Sequence, residues 1–137
     1  MKKFLSVIAF AICIMSVNFC FANPYDDNSN YIRVRYAPNS FAYINLNSVK
    51  VQEYNPPHYQ IAAHYVVVVE GRGGESNVQE YDITKRYNWD TKETFHLNEN
   101  GNWQKDDIKG NLAPHARSRA FCDAIFRAAY NMDFYGY

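Results

Sequence analysis

Tyr59-Gln60-Ile61-Ala62-Ala63-His64-Tyr65-Val66-Val67-Val68-Val69-Glu70 is the stretch that decides the fold. Tyr59, Ile61, Ala63, Tyr65, Val67 and Val69 recur every second residue, which puts them on one face of a strand. Aromatic and β-branched side chains dominate that face, as a pleated and covered surface favours. Ala62, Val66 and Val68 make the opposite face largely apolar as well. A strand that is apolar on both sides is expected at the centre of a sheet, covered on both faces.

Shorter strands are expected around it. In Tyr31–Tyr36, Ile32, Val34 and Tyr36 alternate with Arg33 and Arg35, giving one dry and one wet face. Ala37-Pro38-Asn39-Ser40 reads as a turn, and Phe41–Leu46 resumes with Ala42, Ile44 and Leu46 on one side. Ser48–Tyr54 alternates through Val49 and Val51. Asn55-Pro56-Pro57-His58 is expected to be a loop, because two prolines remove two ladder donors. After the glycine-rich turn Gly71–Asn77, Val78–Thr84 turns Tyr81 and Ile83 inward and Glu80 and Asp82 outward. Glu93–Leu97 and Trp103–Lys105 flank Asn98-Glu99-Asn100-Gly101, a hairpin signal.

The period changes at Pro114, a residue suited to a helix's first turn. From there to about Tyr130 the polar residues Arg119, Asp123 and Arg127 recur every fourth position, and nearly everything else is apolar. Such a helix buries more than half its circumference, so it packs on the sheet and meets something more. The aromatic tail Phe134-Tyr135-Gly136-Tyr137 is expected to fold back and seal an edge. The fold class that follows is α+β: a mostly antiparallel sheet of five to seven strands with one C-terminal helix packed on it.

The chain has 137 residues, with 14 Lys plus Arg against 14 Asp plus Glu, and 12 Tyr, 9 Phe and 2 Trp. So aromatic a composition excludes a disordered charged tail, and the neutral balance argues against nucleic acid as partner. Lys2 and Lys3 precede an apolar run, Phe4–Met15, broken only by Ser6, and Cys20 and Ala22 are small residues placed for cleavage between Ala22 and Asn23. Residues 1–22 therefore read as a secretory signal peptide, residues 23–30 as a flexible N-terminal arm and residues 31–137 as a single domain. Phe19 before Cys20 speaks against lipid attachment. Cleavage takes two lysines with it, so the mature balance is 12 basic against 14 acidic residues. The expected destination is the periplasm, the cell surface or the medium of a bacterium, with no transmembrane segment in the mature chain.

Cys13 and Cys20 leave with the signal, so Cys122 is the lone mature thiol, expected to be buried, with a bridge to another chain as the alternative. Dimerisation through the C-terminal helix or Cys122 stays open. His58, His64, His96 and His115 show no helical metal-pair spacing, although His64 and His96 lie on strands where convergence in space is conceivable. The run from His96 to Asp107 echoes a calcium loop, but with His where Asp is required and Asp where a bidentate Glu is usual. Gly71-Arg72-Gly73-Gly74 lacks the Lys-Ser/Thr and the helix of a phosphate loop. Cys122 and His115 stand two helical turns apart, about 10 Å, beyond hydrogen-bond reach. No cofactor, metal site or catalytic constellation is expected.

Tyr and Arg carry binding energy at interfaces. Tyr31, Arg33 and Arg35 with Tyr43 and Tyr54 form the expected binding face, suited to a protein, a glycan or a cell-wall polymer; pairing of the arginines with Glu80 and Asp82 is the alternative.

Tyr43-Ile44-Asn45-Leu46-Asn47-Ser48-Val49, then Tyr59–Glu70, then Tyr81-Asp82-Ile83, resemble in order the segments of small secreted proteins of the surface-adhesin E type. The ending from Phe121-Cys122-Asp123-Ala124-Ile125-Phe126 to Tyr137 is similar to that of small secreted proteins of anaerobic Gram-negative bacteria. The resemblance spans most of residues 31–137 and implies a one-domain envelope protein with an antiparallel sheet, a C-terminal helix and an adhesive role. The adhesin type carries a cysteine pair, whereas this mature chain keeps one Cys. The reading is thus an exported, non-enzymatic, macromolecule-binding or adhesin-like protein. The alternatives are a periplasmic small-ligand carrier or inhibitor domain, with a pocket between helix and sheet beneath Phe121 and Ile125, and, more remotely, a small hydrolase with His64 or His96 beside a carboxylate in a cleft.

Overall fold

The central strand is β4 (His58–Glu70), and the computed structural model, which describes residues 23–136, builds everything else against it. Before it come β1 (Tyr31–Ala37), β2 (Ser40–Asn45), a 3-10 turn (Leu46–Ser48) and β3 (Lys50–Asn55). After it come β5 (Ser76–Asn88), β6 (Glu93–Leu97), β7 (Trp103–Lys105) and the helix α1 (Ala113–Tyr130). The strands form one antiparallel seven-stranded sheet in the order β1-β2-β4-β5-β6-β7, with β3 also on β4. The α+β architecture is the one the periodicity implied. The expected signal segment, residues 1–22, and Tyr137 lie outside the described residues.

β2 and β3 lie end to end along one side of β4: β2 pairs Tyr65–Val69 and β3 pairs His58–Ala62. The 3-10 turn bridges the step, and Ser48 Oγ accepts the His64 amide at 2.8 Å where neither strand supplies an acceptor. Asn55 and His58, expected in a loop, are the last residue of β3 and the first of β4 and pair with each other, and only Pro56 and Pro57, joined by a cis bond, make the turn. β5 outruns its expected end at Thr84 because it pairs with β4 from Glu70 to His58.

One face of the sheet carries the main core. Ile44, Ile61, Ala63, Tyr65, Val67 and Tyr87 meet Phe121, Ile125 and Phe126 of α1. Ala124 is buried where α1 packs on the sheet, while Ala116 and Ala120, on the same stripe toward the start of the helix, are exposed along a groove beside β1. Asn131 ends the helix in the left-handed conformation, its amide donating to the Arg127 carbonyl at 2.7 Å. The tail then folds back. Phe134 is buried against Tyr87, Trp89 and Phe126, and Asp123 Oδ1 accepts the Phe134 and Tyr135 amides at 2.9 and 2.8 Å. Asp123 is thus a buried anchor for the tail, while Arg127 pairs with Asp133.

A smaller cluster of Tyr43, Val66 and Val68 occupies the other face beneath Tyr25, Tyr31 and Phe41. The residues expected as a flexible arm lie here as turns: Tyr43 donates its hydroxyl to Asp26 at 2.6 Å and accepts from Asn23 at 2.8 Å. β4 is therefore apolar on both sides because each side is covered, by α1 on one and in part by residues 23–31 on the other.

Candidate functional site

Two concave features lie along α1. The first sits between the opening turns of α1 and the sheet, has a volume of about 530 Å³, and is walled by Tyr36, Tyr65, Ile83 and Phe121. At its floor four chain-distant groups converge. Lys85 Nζ lies 2.7 Å from Asp106 Oδ2, His96 Nδ1 lies 2.8 Å from Asp106 Oδ1, and Cys122 Sγ approaches Asp106 Oδ2 at 3.9 Å and Thr94 Oγ1 at 3.6 Å. Lys85 faces His96 across the β5–β6 ladder, which fixes both on the helix side. The loop after β7 brings Asp106 up through its amide, which donates to the Thr94 carbonyl at 2.9 Å.

Burial is the dominant electrostatic influence here. It alone would raise the Asp106 carboxyl, but the Lys85 ammonium and hydrogen bonds from Lys85, Thr94 and His96 hold it below its ordinary value. Burial would lower Lys85, which is only 3% exposed, yet Cys122 and Asp106 beside it leave it raised, so the ammonium persists. Burial pushes the Cys122 thiol up, against the opposing pull of Lys85. A thiol 1% exposed and raised above its usual range is a packed group rather than a nucleophile. It forms no disulfide among the described residues.

The second feature is a groove of about 490 Å³ between β1 and α1. Consecutive residues of β1, Ile32 to Arg35, form one wall. Ala116, Ala120 and Ala124 with Arg119 and Arg127 form the other. β1 pairs only with β2 among the described residues, so its second edge faces outward. The Leu46 amide donates to the Asn30 carbonyl at 2.8 Å, one step outside the β1–β2 register, which makes Asn30 and Leu46 a hydrogen-bonded pair. Alternation then turns the backbone of Ile32 and Val34 toward β2 and that of Arg33 and Arg35 toward the open edge.

The residues of the expected binding face separate. Tyr31, Arg33 and Arg35 do share the face opposite α1. The Arg33 guanidinium stacks 3.8 Å above the Phe41 ring and pairs with Asp26 at 3.4 Å, while Arg35 donates to the Pro38 carbonyl at 2.9 Å. Tyr43 lies on that face but is fully buried beneath Tyr25. Tyr54 is on the opposite face, 67% exposed, against Tyr59 and Tyr130. The cause is a bulge: Val51 pairs Ile61 and Glu53 pairs Gln60, so Gln52 is an extra residue that reverses the alternation. Glu80 and Asp82 do not meet the arginines; both face His64, at 3.7 and 3.0 Å. His64 and His96 lie on opposite faces of the sheet and do not converge. Among the described residues no group of three or more His, Cys, Asp or Glu is arranged to hold a metal ion, and no helix is long and apolar enough to cross a membrane.

Sequence reasoning passed over Lys85, Asp106 and Arg117. The one available signal was Lys85 at an inward position of a strand continued past Thr84, since a lysine there requires a buried acid. Compared with models of protein families, with curated proteins and with solved structures, the chain matches none.

Proposed function

We propose that the protein is an exported, non-enzymatic module that binds another macromolecule, and that it does so by accepting an extended acidic polypeptide segment as an added strand on β1. The observation that carries this reading is the open edge of β1 facing a groove whose far wall is α1. An open edge offers unpaired N–H and C=O groups to a strand, and the side pockets of a groove select its side chains. From Ala116 to Arg127 the helical wall runs about 17 Å, room for roughly five extended residues.

The sign of the charge favours an acidic guest. Arg119 and Arg127 stand on the helical wall, Arg119 donating to the Ile108 and Gly110 carbonyls, Arg33 and Arg35 flank the β1 edge from the opposite face, and the lining acid, Asp123, is committed to the tail amides. Arg33 and Arg127 pair with Asp26 and Asp133 at the surface, where such pairs are worth about 0–1 kcal/mol and yield to a better partner. Two copies joined through β1 would set these arginines against each other, which disfavours self-pairing. The Lys2–Ala22 leader pattern and the resemblance to secreted proteins of the surface-adhesin E type support export and a binding role.

Fluorescence anisotropy with a labelled ten-residue peptide of alternating Glu and Val tests this. The acidic peptide binds; its Lys–Val counterpart does not. Arg33→Pro removes an outward donor that the folded sheet does not use, so it abolishes binding well beyond the loss seen in Arg33→Ala. Equal affinity of the two peptides, equal losses in the two variants, or a wild-type dimer occupying this edge would overturn the proposal.

A further inference from the structure

The helix–sheet cavity carries a second and independent inference. Its ionisable lining groups are Lys85, Arg117, His96 and a single acid, Asp106. Both oxygens of that acid are occupied, one by Lys85 at 2.7 Å and one by His96 at 2.8 Å. The side chains of Arg117 and Ser118 line the same space and have no hydrogen-bond or ion-pair partner among the described residues. No acidic residue stands in the first turn of α1, whose Pro114 is part of the wall. What the polar part of the cavity has to spare is therefore donors and positive charge.

The other part of the wall fixes the body of the ligand. Tyr65 stacks on Tyr81 at 5.3 Å between ring centroids and meets the edge of Phe121 at 5.0 Å, which holds both rings in place. Tyr36 packs on the same pair at 6.4 and 6.1 Å, and Ile83 completes the surface. A bare inorganic anion would leave these rings unused, and a neutral apolar molecule would leave Arg117 and Ser118 unsatisfied.

We propose that this cavity binds a small carboxylic acid with a planar apolar body, its carboxylate held by Arg117 and Ser118 and its body laid against Tyr36, Tyr65 and Phe121. Lys85 contributes charge rather than contact. It is nearly inaccessible, and its ammonium, fixed by Asp106, keeps the floor beneath the carboxylate positive. Arg117 gives the planar fork that matches a carboxylate, and a half-buried helix surface position fixes it at little cost to folding. The volume, about 530 Å³, is in the range of small-ligand sites.

The test uses benzoate and its neutral, nearly isosteric counterpart benzamide, titrated into isotopically labelled protein and followed by amide chemical shifts. Benzoate gives saturable shifts at Arg117, Ser118 and His96. Benzamide binds at least about tenfold more weakly, because a charge-assisted pair is lost. Arg117→Gln weakens benzoate by about tenfold or more while leaving the melting temperature and the affinity for benzamide unchanged. Failure of benzoate to saturate, equal binding of the two compounds, or undiminished binding by Arg117→Gln would each overturn the proposal. None of these results bears on the β1 groove, which is walled by the other flank of α1, Ala116, Ala120 and Ala124.

Discussion

Lys85→Met is the perturbation whose consequences the structure specifies most closely. The substitution keeps the volume and removes the charge of a lysine that is 3% exposed and 2.7 Å from Asp106. Removing one member of a buried pair leaves the other charge uncompensated, at a cost of about 3–5 kcal/mol. His96, 2.8 Å from the other Asp106 oxygen, keeps one hydrogen bond on the carboxylate, which places the expected loss near the lower end, about 3 kcal/mol. For a domain of this size that lowers the melting temperature by on the order of 10–15 °C. The double variant Lys85→Met/Asp106→Leu removes both charges and returns to within about 1 kcal/mol of the wild type. Urea unfolding followed by circular dichroism measures all members of the cycle. The pH dependence supplies the sign. Asp106 is held below its ordinary carboxyl value, so its contribution is present above the unfolded value, about 3.9, and is lost as pH falls through the folded one. The gap between wild type and Lys85→Met therefore narrows in acid. A loss below about 1 kcal/mol, or a gap that widens in acid, would refute the burial and pairing argument.

Three further outcomes follow from named contacts. Cys122→Ala costs about 1–2 kcal/mol and stays monomeric, and thiol reagents label native wild type slowly, because Cys122 is buried between α1 and the sheet; urea unfolding and timed labelling check both. Tyr43→Phe removes a hydroxyl bonded to Asp26 and Asn23, costs about 1 kcal/mol, and speeds proteolysis within residues 23–30. Asp123→Ala strands the Phe134 and Tyr135 amides, costs about 2 kcal/mol, and releases the aromatic tail, seen as loss of amide protection at both residues.

Much of the fold was legible because it rests on local periodicity. Tyr59–Glu70 alternates with apolar residues on both parities, and that alone places it centrally. The helix announces itself through Pro114 and the four-residue spacing of Arg119, Asp123 and Arg127. What escaped depends on residues far apart in the chain. Lys85 falls just past the expected end of its strand at Thr84, because the acid that permits its burial stands 21 positions on. Tyr43 looked available, because what covers it comes from a polar, turn-rich stretch without an apolar period. Tyr54 changed faces through one extra residue at Gln52, and a bulge leaves no mark in a pattern that short. Along its own helix Cys122 has only the distant His115, whereas its neighbours Asp106 and Thr94 arrive from the sheet and its loops.

Amide hydrogen exchange of β1, recorded on the full chain with and without the Glu–Val peptide, tests the central claim most directly. The account predicts that the Arg33 and Arg35 amides, turned toward the open edge, exchange fast in the free protein and become protected on binding, while Ile32 and Val34 are protected throughout. Arg33 and Arg35 amides that are already protected in the free protein, or that stay fast at saturating peptide, would contradict it.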